Sequence, residues 1–254
     1  MITLISPAKT MNSREEYKQN FDSSQPRFLE QSGYIVSLMV QYSSAELSEI
    51  FKISAPIAQQ LKSRFLSLVS ASQQDTLPSV ESYDGVVYKH FKREFTEAES
   101  RYLQQHLRIS SLLYGLLRPF DQIKPYRMEG FVRLSGSDKR VDQFWRDHQT
   151  QTLIEDVKGQ GGVLLYLASK EEQNSFHWKE VKKSVRVIEP LFLQSKGDKL
   201  RQVVIYTKMA RGEMLRYMVD NSIEDVDELK AFEWGGYQYR DDLSTEGKWV
   251  WVME

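Results

Sequence analysis

Short apolar runs of strand length recur along the chain between longer amphipathic stretches. Val163–Ala168 reads Val-Leu-Leu-Tyr-Leu-Ala, a continuous apolar run that predicts a strand buried on both faces of a sheet. The other predicted strands are Met1–Ile5, Leu112–Leu117, Val185–Gln194, Leu200–Thr207, Tyr237–Arg240 and Trp249–Met253. Lys196-Gly197-Asp198 and Thr245-Glu246-Gly247 predict the turns of two hairpins within this set.

Helices are predicted between these strands. Ser43 with Glu46, and Thr96 with Glu99, have the spacing of capping boxes, which predicts helices running to about Lys52 and about Arg108. The other predicted helices are Phe28–Val40, Pro56 to about Ala71, Val141–Val157, Met209–Asn221 and Ile223–Phe232. Residues 11–27 lack a period and are predicted to form a loop. Because helices and strands are mixed throughout, the fold class is α/β or α+β.

Composition limits the class of protein. At 254 residues, 41% hydrophobic and 27% charged, the chain is long enough for one large domain or two closely packed ones. Without cysteine, disulfides and thiol peroxidase chemistry are excluded. The histidines form no local metal motif, so neither a metal nor a cofactor is predicted. Because a secretory signal and a membrane-length apolar run are both missing, we expect a cytoplasmic protein with no membrane partner.

Charge is nearly balanced overall but is unevenly distributed. The net charge of −1 argues against a uniformly basic nucleic-acid-binding surface. Residues 108–140 have a net charge of +4 and residues 177–216 one of +6, whereas residues 219–254 have −7. The two basic segments would form a positive groove if they met in space. The alternative is that each is the solvated face of its own element.

A stiff cationic loop is predicted within the first basic segment. Arg118, Lys124 and Arg127 follow an apolar run, and Pro119 and Pro125 restrict the backbone between them. Stiff loops that carry cations tend to present them to anionic ligands. The alternative is a buried strand followed by an ordinary solvated turn.

Residues 44–71 contain a candidate helix–hairpin–helix, a DNA-binding unit with apolar residues at fixed spacing around a Gly-x-Gly turn. The apolar positions are occupied by Leu47, Ile50, Ile53, Ala58 and Leu61. Lys52 and Ser54 replace the two turn glycines, which places the phosphate-binding geometry in question because non-glycine residues restrain the backbone. Lys62 and Arg64 on the second helix would then contact phosphates. The alternative is a plain helical hairpin packed on the core.

Several motifs, in matching order along nearly the whole chain, resemble those of the peroxide stress protein YaaA family. They are Ile5–Thr10, Tyr83-Asp84-Gly85 with Tyr88, Leu107–Arg127, Phe144-Trp145, Leu167-Ala168-Ser169 and Tyr206–Gly212. The resemblance implies an unusual single-domain mixed α/β fold over residues 1–254, with a central mixed sheet, surrounding helices, a helix–hairpin–helix and a positively charged cleft. It also implies DNA binding in the peroxide stress response and a link to limiting free iron.

One strand end departs from the family pattern. Tyr166 stands where the family usually has Asn, and Lys170-Glu171-Glu172 follow Ser169. If this strand end lines the cleft, we expect its polar chemistry to differ from that of other members.

The first functional hypothesis is a DNA-binding protein whose partner is duplex, single-stranded or branched DNA. Most contacts would reach the backbone, so sequence preference would be weak. Tyr126 and Trp145 could stack on unpaired bases. The predicted nucleic-acid contacts are Lys9, Lys52, Ser54, Lys62, Arg64, Arg118, Lys124, Arg127, Arg133, Lys182, Lys183, Lys208, Arg211 and Arg216.

Two further hypotheses remain open. An enzyme or binder of a small anionic ligand would use Lys9, Arg118, Arg127 and Lys208 near strand ends, but no nucleophile–base set can be identified from spacing. An iron-handling protein would use the acidic cluster at residues 220–228, for which a solvated helix face is the alternative.

Overall fold

A mixed sheet of parallel and antiparallel strands lies at the centre of the fold. The computed structural model describes residues 1–12, 23–69, 76–197 and 199–254. In these ranges the strands are β1 (Ile2–Ile5), β2 (Leu77–Pro78), β3 (Leu107–Ser111), β4 (Gly115–Leu117), β5 (Gln122–Ile123), β6 (Val163–Tyr166), β7 (Arg186–Lys196), β8 (Lys199–Arg201), β9 (Tyr237–Tyr239) and β10 (Lys248–Met253). The helices are α1 (Leu29–Met39), α2 (Ser44–Phe51), α3 (Ala55–Val69), α4 (Ser79–Ser82), α5 (Val86–Phe91), α6 (Glu97–His106), α7 (Val141–Gly159), α8 (Trp178–Ser184) and α9 (Val204–Asp220). The predicted mixed α/β class is confirmed.

Five parallel strands form the core of the sheet in the order β3-β1-β6-β7-β10. Antiparallel β4 and β9 are added at the two ends, and β8 pairs with β7. The strand order reverses at β1, because the chain first builds β3 on one side and later β6 on the other. Thr3 is in register with both Leu107 and Leu165, so the carboxyl ends of these three strands meet at one edge.

Apolar side chains cover both faces of this sheet. Leu164 and Tyr166 of β6 belong to one buried cluster, whereas Leu165 between them belongs to another. Successive side chains of a strand point to opposite faces, so the two clusters lie on opposite sides of the sheet. This explains why β6 reads as an unbroken apolar run rather than an alternating one.

Both predicted capping boxes are present. The Ser43 hydroxyl accepts from the Glu46 N–H at 3.3 Å, and the Glu46 carboxylate accepts from the Ser43 N–H at 2.7 Å. Thr96 and Glu99 make the same reciprocal pair at the start of α6. These contacts satisfy backbone donors that have no partner within the helix.

The predicted strand at Leu112–Leu117 is wrong in its bounds. Within that range only Gly115–Leu117 is a strand, β4, and the preceding strand β3 ends at Ser111 with a turn between them. The Ser111 hydroxyl accepts from the N–H groups of Leu113 and Tyr114, and Gly115 has a φ of +71°. A sharp reversal of the chain therefore lies where the sequence reads as one apolar run.

The predicted strand at Leu200–Thr207 is also wrong. Strand β8 ends at Arg201, and α9 begins at Val204. Thr207, Ala210 and Met214 are buried at helical spacing. The helix therefore buries a face that a strand could not, and this overrides the β-propensity of the residues at its start.

The predicted helix at Ile223–Phe232 is shorter, a 3-10 helix over Val226–Ala231. Residues 13–22, 70–75 and 198, on which parts of the predicted loop, third helix and hairpin turn fall, lie outside the described residues.

Candidate functional site

A pocket of about 370 Å³ opens beside the carboxyl edge of the parallel strands. It is lined by residues 7–9 after β1, residues 126–131, the start of α7 and the 3-10 helix Lys170–Ser175 that follows β6. Strands β1 and β6 lie on either side of the point where the strand order reverses. Open α/β sheets form ligand-binding crevices at such a switch point.

Serines at the strand ends connect the sheet to this pocket. Ser6 follows β1 and Ser169 lies just beyond β6, and the Ser169 N–H donates to the Ser6 hydroxyl at 2.8 Å. The Tyr88 hydroxyl donates to the Ser6 carbonyl oxygen at 2.9 Å. The backbone at this edge is therefore held by hydrogen bonds from neighbouring elements.

Glu172 is the acid with the most altered environment in the pocket. Burial of its carboxyl raises its pKa to about 7, against the opposing effect of the nearby Ser110 and Ser6 hydroxyls. Glu171 beside it raises the pKa further. A carboxyl with a pKa near neutrality can gain or lose a proton under ordinary conditions.

A chain of hydroxyl groups lies behind the pocket wall. The Tyr126 hydroxyl lies 2.7 Å from the Ser111 hydroxyl and 2.8 Å from that of Tyr83. Burial raises the pKa of each of these tyrosines well above its usual value, so they remain neutral. The predicted stacking of Tyr126 and Trp145 on bases is corrected here, because both side chains are buried and Trp145 donates to the Leu112 carbonyl oxygen at 2.9 Å.

The rim of the pocket combines cations with acids. The Glu129 carboxylate accepts from Lys9 at 2.9 Å and from Arg127 at 3.1 Å. Arg140 and Asp142 form a two-point ion pair with N–O distances of 2.9 and 3.0 Å. Among the lining residues described, acids outnumber cations, so the lining by itself does not form a basic cleft.

The turn of the α2–α3 hairpin lies near the pocket mouth. Lys52 places its ammonium 5.6 Å from the centre of the Phe131 ring, and Phe131 lines the pocket. Lys52 has a φ of +53°, the left-handed conformation that glycine adopts in the helix–hairpin–helix pattern. Ser54 is exposed directly before α3. Lys9, Lys52, Ser54 and Arg127 are thus the predicted contacts that the structure places around the pocket and the adjoining turn.

Three other predicted contacts are held within the protein. Lys124 is buried and donates to the Ser67 carbonyl oxygen at 3.0 Å, so the loop does not present this cation to solvent as expected. Lys62 donates to the carbonyl oxygens of Val40 and Tyr42 after α1. Arg118 pairs with buried Asp121 at 3.0 Å and donates to the Gln25 carbonyl oxygen.

The remaining predicted contacts are dispersed. Arg64 is half-buried on α3, and Arg133 is exposed and donates to the Asp138 carbonyl oxygen. Lys182 and Lys183 are exposed on α8. Lys208 is exposed on α9, whereas burial lowers the pKa of Arg211, and Arg216 pairs with Asp220 at 3.0 Å. None of these residues lines the pocket.

The sequence did not identify Glu129, Asp142, Glu172 or Ser175 as site residues, although all four line the pocket. Glu129 and Asp142 could not be recognised from sequence, because only the fold brings Lys9 to Glu129 and places both acids at the pocket. Glu172 had a usable signal, since it follows closely after an apolar strand, where polar residues of α/β sites collect. Tyr166, the other departure noted there, is buried and donates to the Ser169 carbonyl oxygen at 2.6 Å.

Two features are missing from the part of the chain that the structure describes. No helix there is both long and apolar enough to cross a membrane. No group of three histidine, aspartate or glutamate side chains is placed to hold a metal ion.

The topology and the pocket define an α/β protein with a parallel core and a polar site at its switch point. The family profile described as "Peroxide stress protein YaaA" matches residues 1–243, and the chain belongs to that family. It is 42% identical over 256 residues to a UPF0246 protein of Parabacteroides distasonis, with 100% of each chain covered. It is 41% identical over 254 residues to one of Bacteroides fragilis, covering 99% of this chain and 98% of the relative. A UPF0246 protein of Porphyromonas gingivalis is 37% identical over 257 residues, with both chains fully covered. The predicted family membership is confirmed.

Proposed function

We propose that this protein binds DNA in the cytoplasm during the peroxide stress response and thereby limits iron-driven damage to that DNA. The observation that carries the proposal is the α2–α3 turn, where Lys52 adopts the left-handed conformation although it is not glycine. The hairpin acts as a helix–hairpin–helix, and the DNA it binds is duplex or branched with weak sequence preference.

The packing of the hairpin supports this role. Leu47, Ala58 and Leu61 are buried, while Ile53 is half-buried at the middle of the turn. These apolar contacts fix the two helices against each other across a short connection at residues 52–54. Helix α3 begins at Ala55, shortly after Lys52. First-turn N–H groups, which Pro56 lacks, have no partner within a helix and can bind a phosphate.

The rim cations extend this phosphate-binding surface. Lys9 is highly exposed, with 71% of its side chain accessible, and Arg127 lies beside it on Glu129. In this proposal Lys9, Arg127 and Lys52, which lies beside Phe131, supply the cationic contacts to the DNA backbone. A backbone-directed surface of this kind binds many sequences with similar affinity.

The test is a titration of labelled duplex, single-stranded and branched DNA over a series of salt concentrations. Affinity should fall linearly in log–log form as salt rises, because each neutralised phosphate contributes about −0.9 to the slope. Lys52→Glu should weaken duplex binding about tenfold and reduce the slope by about 1.

Lys158→Glu is the matched control, because Lys158 is exposed at the far end of α7, about 25 Å along that helix from Asp142. It makes the same change in net charge and should bind DNA nearly as the unmodified protein does. Equal losses in the two variants, or an affinity that ignores salt, would contradict the proposal.

Protection of DNA is tested separately by strand breakage in supercoiled plasmid exposed to Fe(II) and hydrogen peroxide. The protein should reduce nicking at concentrations that coat the plasmid. Lys52→Glu should protect less at the same concentration, because its radical-scavenging side chains are unchanged while its DNA binding is weakened. Equal protection by the unmodified protein and the variant would show that protection of the plasmid does not depend on DNA binding.

The pocket itself favours a second candidate function, the binding of a small anionic or nucleotide ligand. Lys9 and Arg127 lie at the pocket, as that hypothesis requires, whereas Arg118 and Lys208 do not line it. A thermal-shift screen of nucleotides and phosphorylated metabolites distinguishes this function, since a specific ligand raises the melting temperature.

A further inference from the structure

The pocket has the size and the lining of a site for one planar polar group. Its volume of about 370 Å³ lies at the small end of the range for ligand pockets, which runs from about 300 to 1,000 Å³. Pro7, Leu112, Met128 and Phe131 supply apolar walls. Phe131 is 46% exposed, so its ring is accessible at the pocket mouth for stacking.

Two other residues of the pocket lining carry buried polar groups without hydrogen-bond partners. The Arg127 Nε and the Ser175 hydroxyl are buried, and neither has a hydrogen-bond partner among the described residues. Ser175 is 1% exposed and lines the pocket, as does Arg127. Buried donors without partners are costly, so these groups are suited to a ligand that carries acceptors.

Glu172 supplies the complementary chemistry. Glu172 lines the pocket, with the Ser6 and Ser110 hydroxyls near its carboxyl, and an ionised carboxylate can accept hydrogen bonds at two oxygens. Among the Watson–Crick edges of nucleobases, that of guanine presents adjacent ring and amino N–H donors that match a carboxylate. Its carbonyl oxygen and ring nitrogen offer acceptors for donors such as those of Arg127 and Ser175.

The pocket also lies where a bound nucleic acid would pass. Lys52 at the hairpin turn is in contact with Phe131 at the pocket mouth. A backbone phosphate held at the turn would leave one unpaired nucleotide within reach of the pocket, as in proteins that read an extruded base.

We propose that the pocket binds a single guanine base, with Glu172 accepting hydrogen bonds from its Watson–Crick edge and Phe131 stacking on its face. The base comes from an unpaired position in bound DNA or from a free nucleotide. The DNA source rests on the proposed function, whereas the free-nucleotide source does not.

The test compares three labelled duplexes at pH 8, where Glu172 is ionised: fully paired, with one bulged guanine, and with one bulged abasic site. We expect the guanine bulge to bind about tenfold more tightly than the abasic bulge. Glu172→Gln should remove most of this preference while leaving affinity for the paired duplex unchanged. Lys52→Glu should weaken all three duplexes equally.

Two further variants distinguish a specific loss of guanine binding from a folding defect. Phe131→Ala removes the stacking ring at an exposed position and should also lower the guanine preference. Glu180→Gln, on an exposed residue of α8 outside the pocket, should leave it intact. Bulged cytosine, adenine and thymine complete the series, and equal binding of all four bases would overturn the assignment of guanine.

Titration of guanosine and cytidine monophosphates separates the two sources. Guanosine monophosphate bound in a Glu172-dependent manner, without duplex binding, would support the pocket while contradicting the DNA-binding proposal. Duplex binding with no guanine preference, no binding of guanosine monophosphate and no effect of Glu172→Gln would overturn the pocket assignment and leave DNA binding standing.

Discussion

At the scale of single residues, the pocket contains a carboxyl that burial holds away from its ordinary ionisation. Glu172 has a pKa of about 7, whereas a carboxyl of this type in the unfolded chain ionises near its usual value of 4.5. The folded state therefore binds the proton more tightly than the unfolded state does. Its contribution to stability is complete below the unfolded pKa and is lost as the pH rises through about 7.

This linkage predicts a pH-dependent difference between the protein and its Glu172→Gln variant. Between pH 5 and pH 8 the unmodified protein should lose about 1–2 kcal/mol more unfolding free energy than the variant. Urea unfolding at the two pH values measures both quantities, and Glu180→Gln serves as the control. Parallel pH profiles for protein and variant would show that the Glu172 carboxyl is not shielded from water.

Lys52 is the second residue whose local state matters. It is one of two non-glycine residues with positive φ in the described part of the chain, the other being Ser222. A side chain in the left-handed region costs about 1–2 kcal/mol. The α2–α3 hairpin therefore bears the conformational cost of a non-glycine residue at its turn, and that residue places a cation there.

Lys52→Gly therefore separates geometry from charge. The variant should gain about 0.5 kcal/mol of unfolding free energy, because glycine adopts positive φ freely but loses more entropy on folding. Its DNA affinity should fall severalfold despite the more stable hairpin. Glu49→Gly, at an exposed position inside α2, should instead lose about 1 kcal/mol. A Lys52→Gly variant that binds DNA as well as the original would show that charge at the turn is unimportant.

At the scale of elements, one glycine sets how closely two helices approach. Gly212 on α9 lies against the Val87 carbonyl oxygen of α5, and a Cβ at this position would lie 2.6 Å from the His90 Cβ. Neither neighbour can move freely, because Val87 contributes backbone and His90 is hydrogen-bonded to Glu213 at 2.8 Å. The close helix pair is needed to hold α5, which carries Tyr88 toward the strand ends.

Gly212→Ala should lower the unfolding free energy by about 2–3 kcal/mol, because the added methyl group overpacks the helix interface. Gly33→Ala is the matched control, since Gly33 lies in α1 and a Cβ added there would have no neighbouring atom within 4 Å. The control should gain about 0.5–1 kcal/mol from helix propensity. Chemical denaturation followed by circular dichroism measures both, and similar effects in the two variants would refute close packing at Gly212.

At the scale of the whole molecule, topology decides which residues meet. Segments near residues 9, 127, 142 and 172 line one pocket because β1, β3 and β6 end together at the switch point. The two basic segments do not combine there in the same way, since Lys182, Lys183, Lys208 and Arg216 lie on α8 and α9 away from the pocket lining. Charge summed along a sequence therefore indicated where cations are abundant without indicating where they face.

Local physical signals made several elements predictable. The capping boxes at Ser43 and Thr96 and the apolar run of β6 depend on residues only a few positions apart, and the structure confirms them. The family could likewise be identified from short motifs, which the profile match over residues 1–243 confirms. Strand-like residues at the start of α9 misled the same reasoning, because the burial of later residues such as Ala210 and Met214 favoured the helix over that intrinsic preference.

Local periodicity and contiguous motifs were enough to predict the fold class, the family and the two consecutive helices α2 and α3. Tertiary structure alone decided that Lys124 is buried, that Lys9 and Arg127 share Glu129, and that Glu172 lies in the pocket. The physical reason is that burial, ion pairing and a shifted pKa depend on groups brought together from distant parts of the chain. At the pocket, these distant parts of the chain meet because the parallel strands align their carboxyl ends at one edge of the sheet.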